Sequence, residues 1–162
     1  MLKRPGAMLQ LPRHLAACSL LALAACSGTT DTTTTISPVT QVIVRTDALL
    51  VGHGCGTGDN QVYKYAATIF DADKVPDGTG VYDCFADATF TNLTGSATGD
   101  YTFTLRIQAF SASTYAAQAG AIAGAVAAKD ANALDALATW KTGCSATQQP
   151  NVQVLAVCDP LR

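Results

Sequence analysis

Residues 101–108 read YTFTLRIQ, so that Tyr101, Phe103, Leu105 and Ile107 alternate with Thr102, Thr104, Arg106 and Gln108. Successive side chains of a strand point to opposite faces, and this alternation predicts a strand with one core face and one wet face. The same period runs through Tyr63, Tyr65, Ala67 and Ile69, interleaved with Lys64, Ala66 and Thr68. Here too one side of a strand is buried.

Outward from these two strands the chain keeps a β character on both sides. Val42 and Val44, then Leu49, Leu50 and Val51, predict a β-rich run that halts at Gly52, His53, Gly54, Cys55, Gly56, Thr57 and Gly58, where glycine permits a tight reversal. Asp73, Pro76, Asp77 and Gly78 mark a turn, and residues 81–93 read as a further strand that carries Cys84. After Gln108 the period changes. Residues 113–139 are dominated by Ala, with Ile122, Val126, Leu134 and Leu137 at helical spacings, and they predict two helices broken near Lys129, the second capped by Asp130. Residues 141–147, a turn at Gln149, Pro150 and Asn151, and Val152, Val154, Leu155 and Val157 read as a closing hairpin. The fold class that follows is mainly β: a disulfide-linked β-sandwich of five to seven strands with an Ala-rich helical insertion at about 113–139.

The segments ATFTNL (88–93) and YTFTL (101–105) together resemble a strand pair of immunoglobulin-like and prealbumin-like modules in bacterial surface proteins. The resemblance implies a sandwich, and the Ala-rich stretch departs from those modules.

The N-terminus carries a different kind of signal. Lys3, Arg4 and Arg13 precede an apolar run from Leu15 to Ala25, eleven residues long, that ends in Leu23, Ala24, Ala25 and Cys26. A spanning helix needs about 20 apolar residues, so the run fits an export signal and is too short for a membrane span. The Leu-Ala-Ala-Cys ending resembles the bacterial lipobox. That resemblance implies cleavage before Cys26, lipidation of its thiol, and a signal peptide over residues 1–25. Ser27, in place of an aspartate, implies sorting to the outer membrane. Residues 27–40 read SGTTDTTTTISPVT, so 26–40 is a lipidated cysteine with a Thr-rich tether and 41–162 is the folded domain.

Export agrees with the cysteine count. Cys18 leaves with the signal and Cys26 takes lipid, leaving Cys55, Cys84, Cys144 and Cys158 for two disulfides in an oxidising compartment. Three connectivities are open, and proximity along the chain favours Cys55 with Cys84 and Cys144 with Cys158. A zinc site is disfavoured because no paired C-x-x-C spacing occurs. Of 162 residues, removal of 25 leaves 137, with seven basic residues against twelve acidic ones, a formal charge of −5. Nucleic acid is therefore excluded as a natural partner, since phosphate binding needs clustered Lys and Arg. All twelve acids are Asp, which favours turns and caps over helix interiors.

Few residues offer chemistry. His53 is the only histidine after residue 25, so an extracytoplasmic hydrolase of Ser-His-Asp type would have to use it. No G-x-S-x-G elbow accompanies it, and its place between two glycines suits a loop better than a catalytic base. The Gly-rich loop lacks the Lys of a phosphate cradle. Asp71, Asp73 and Asp77 with Gly78 partly match a calcium loop, but Val75 stands where a ligand is needed and no Glu closes it. Tyr63, Tyr65, Tyr82, Tyr101, Tyr115 and Trp140 could stack on a sugar or peptide, although aromatics on alternating strand positions more often fill a core. The residues thus point to a lipid-anchored envelope protein that binds a protein or glycan, or serves as a structural module. No catalytic residue, metal ligand or cofactor is assigned, and the membrane is reached through the lipid.

Overall fold

The computed structural model describes residues 41–93, 101–148 and 152–162. Among them, in chain order, lie β1 (Gln41–Val44), α1 (Thr46–Leu49), β2 (Gly54–Cys55), β3 (Gln61–Val62), β4 (Lys64–Phe70), β5 (Pro76–Asp83) and β6 (Ala88–Thr91). They are followed by β7 (Thr102–Phe110), α2 (Ala112–Ala127), α3 (Ala131–Leu137), β8 (Trp140–Thr147), β9 (Val154–Leu155) and β10 (Val157–Cys158). The proposed signal, the tether and Cys26 lie outside the described residues.

The two alternating runs form the centre of an antiparallel sheet ordered β10-β8-β7-β4-β5. Their register sets Tyr65 opposite Ala109, Ala67 opposite Ile107 and Ile69 opposite Leu105, while Phe103 meets Ala146 and Leu105 meets Cys144 on β8. Paired residues share a face, so these side chains make one continuous apolar surface. A second sheet, ordered β6-β1-β9, covers it with Val42, Val44, Ala88, Phe90 and Val154. Phe103, Ile107, Ile69, Val42 and Val44 are all fully buried there. Each such side chain contributes roughly 1.5–3 kcal/mol by leaving water.

The opposite face of the larger sheet is also covered, in part, by the two helices. Ala66 and Phe110 pack against Ile122, Ala125 and Leu134. The Ala-rich segment is therefore a third layer on the sheet. Local chemistry places both helices. Ser111 caps α2 by accepting from the Thr114 amide. Lys129, at φ 53°, then ends it, with its amide donating to the Val126 carbonyl (3.0 Å) and the Asp130 amide to the Ala125 carbonyl (2.9 Å). That pair of bonds satisfies the last carbonyls of α2. Asp130 Oδ1 caps α3 by accepting from the amides of Asn132 and Ala133, both at 3.0 Å, as its sequence position predicts.

Four local expectations change. Residues 49–51 are not strand; the chain turns through α1, held by the Thr46 amide donating to Asp87 Oδ1 (3.0 Å), and Leu49 drops into the core. The turn read through Gly78 is shorter, because β5 already begins at Pro76. Gly78 is a strand residue there, and a Cβ on it would stand 3.0 Å from the Phe90 ring. The stretch 81–93 is two strands in two sheets, β5 and β6, separated by a turn in which the Ala86 amide donates to the Asp83 carbonyl (2.8 Å). The final segment is also divided: β9 runs parallel to β1, whereas β10 runs antiparallel to β8. Its expected turn at 149–151 lies outside the described residues. These divisions raise the strand number above seven, and they place segments 88–93 and 101–105 in opposite sheets instead of side by side.

Candidate functional site

Both disulfides have the connectivity favoured by chain proximity. Cys55 pairs with Cys84, tying the Gly-rich loop to the end of β5. Cys144 pairs with Cys158 directly across the β8–β10 ladder, with Cα atoms 4.0 Å apart. Closures of 29 and 14 residues each stabilise the fold by about 3–4 kcal/mol in the chain-entropy account.

The helices leave part of the larger sheet's outer face uncovered, and that part is concave. Its floor is a set of register neighbours: Phe70 lies opposite Thr104, Thr104 opposite Ser145, and Ser145 opposite Val157. Arg106 and Gly143 form the adjacent row. With Lys74 and Asp159 they line a groove of about 520 Å³. Gly143 deepens it, since a Cβ at that position would meet no neighbour closer than the Leu105 carbonyl oxygen at 3.9 Å. An adjoining hollow of about 250 Å³ shares Phe70, Lys74 and Arg106 and adds Lys129 and Asn132.

Arg106 is oriented from two sides. Its Nη1 donates to Asn132 Oδ1 (2.8 Å) and to Asp135 Oδ2 (3.3 Å), and its guanidinium carbon lies 5.5 Å from the Phe70 ring centroid. Asp135 is itself held, because its other oxygen accepts from Gln108 Nε2 at 2.6 Å. A fixed guanidinium over an aromatic face retains hydrogen-bonding capacity for a ligand. Lys129 Nζ donates to the Asp77 carbonyl (2.9 Å). Lys74 and the Asp159 carboxylate, by contrast, make no ion pair among the described residues. Lys74 also has φ 61°, a conformation that costs a non-glycine residue roughly 1 kcal/mol or more.

The residues singled out by sequence lie elsewhere. His53 is half-buried, with its ring 4.8 Å from Trp140 and its Nδ1 3.4 Å from the Asn60 carbonyl oxygen. It is thus better held than its glycine neighbours suggest, but no carboxylate or hydroxyl among the described residues bonds to it. Asp71 is a turn-former: its Oδ1 accepts from the Val75 amide (2.7 Å) and its carbonyl from the Lys74 amide (3.1 Å). No three His, Cys or Asp side chains gather in a metal-binding group among the described residues. Tyr65 lies in the core, stacked on Tyr82, and donates to the Ala86 carbonyl (2.6 Å). Burial pushes both phenols above their ordinary pKa, with Asp87 and Tyr82 adding to the shift at Tyr65. Tyr101 is raised by burial and then by Asp71, Asp77 and Asp73. Tyr63 and Tyr115 flank the Lys64 ammonium at 5.5 and 5.8 Å, and its bond to Asp83 raises the Lys64 pKa.

Sequence reading had passed over Phe70, Lys74, Ser145 and Asp159. The available signal was Lys74, a lysine where turn chemistry would choose Gly or Asn. Among the described residues no helix is long and apolar enough to cross a membrane. No protein family, curated protein or solved structure matches the chain.

Proposed function

We propose that this is a lipid-anchored cell-envelope protein of the outer membrane, whose β domain is a non-catalytic binding module that uses the groove beside Phe70. The observation that carries the binding reading is the meeting in one groove of an oriented Arg106 with the charges of Lys74 and Asp159, which make no ion pair among the described residues. A few convergent polar groups in a concave site are what small-molecule binding requires. Anchoring is supported by the Leu23-Ala24-Ala25-Cys26 junction behind a short apolar run. Two or three acyl chains, each contributing about 0.8 kcal/mol per buried methylene, would hold the protein firmly. A sandwich module of the kind found in bacterial surface proteins suits this role. In cells fed a labelled fatty acid, Cys26→Ala is expected to lose both the label and membrane retention. Unchanged labelling would contradict the anchor.

A further inference from the structure

We infer that the groove beside Phe70 takes an acidic monosaccharide, a sugar ring bearing a carboxylate or a phosphate. The inference rests on the binding-module reading above and adds the ligand's chemistry to it. Charge is the first argument. Only seven basic residues follow residue 25, and three of them, Lys74, Arg106 and Lys129, line the two joined hollows, together with Asp159 and Asp130. Arg106 is paired with Asp135 and Lys129 donates to the Asp77 carbonyl, so the positive charge open to an anion is that of Lys74. Its ammonium makes no ion pair among the described residues.

A bare anion would not suit the whole groove, since Asp159 shares it. A carboxylate repels an anion but accepts strongly from hydroxyl donors. The ligand must then present its anionic group toward Lys74 and Arg106 and hydroxyls toward Asp159. Thr104 and Ser145, exposed on adjacent strands, add two hydroxyl groups that can donate or accept. Phe70, buried beneath the Arg106 guanidinium, forms an apolar base to the groove, and about 520 Å³ is within the usual size of small-ligand sites.

The test is calorimetric titration of the full lipidated chain in detergent with four probes: glucuronate, glucose 6-phosphate, glucose and inorganic phosphate. Both acidic sugars are expected to bind, with glucose and phosphate at least about tenfold weaker, and the better acidic sugar shows whether carboxylate or phosphate is preferred. Lys74→Gln should weaken the acidic sugars by about tenfold, the loss of one charge-assisted hydrogen bond. Asp159→Asn should weaken them and leave inorganic phosphate unimpaired. An unchanged melting profile checks that each variant is folded. Absence of acidic-sugar binding, equal binding of glucose, or full affinity in Lys74→Gln would overturn the inference. Membrane retention in cell fractions taken before detergent extraction reads the anchor separately, so failure of one is distinguishable from failure of the other.

Discussion

The two faces of β7 do opposite work. Phe103, Leu105, Ile107 and Ala109 point into the shared core and are at most 2% exposed, while Thr102, Thr104 and Arg106 between them are exposed. Gln108 and Phe110 continue the outer row under the helices and are fully buried. One strand therefore passes three environments: a sealed core, a helical roof and an open groove. The difference teaches that folding demands are concentrated on one face, leaving residues of the other face free for binding.

Substitutions along this contrast should follow its order. Phe103→Ala opens a cavity in the inner layer and should cost about 3–5 kcal/mol in urea unfolding; a loss below about 1 kcal/mol would show that the inner face is not the main core. Leu134→Ala, beneath the roof, should cost about 2–3 kcal/mol because the smaller helical cluster can relax around the cavity. Asp130→Ala removes the α3 cap and should lower stability by about 1 kcal/mol, with helix loss visible by circular dichroism. Thr104→Ala, one residue from Phe103 but in the groove, should change unfolding by no more than about 0.5 kcal/mol. A larger effect there would mean that the open half of the face also supports the fold.

What sequence could and could not show divides along the same line. Alternation in 101–108 and 63–69 revealed the central strands, because a single buried face leaves a period of two. Asp130 revealed the helix break through its capping chemistry. The start of β5 was hidden, since Gly78 reads as a turn residue although it serves a strand packed against the Phe90 ring. Residues 152–158 were hidden for another reason: two-residue strands carry too little pattern to show which sheet each joins. The groove is harder still to read. Phe70, Lys74, Arg106, Ser145 and Asp159 come from four separate stretches, and only the register of β4, β7, β8 and β10 brings them together. His53 drew attention as a lone histidine, yet it packs on Trp140.

The most direct test of the central claim, that binding belongs to the open half of the outer face, is amide chemical-shift mapping during titration with glucuronate. The account predicts saturable shifts clustered at Lys74, Arg106, Gly143, Ser145 and Asp159, with the helical roof and the β6-β1-β9 sheet unmoved. Shifts centred on His53 and Trp140, or on Tyr63 and Tyr115, would contradict it.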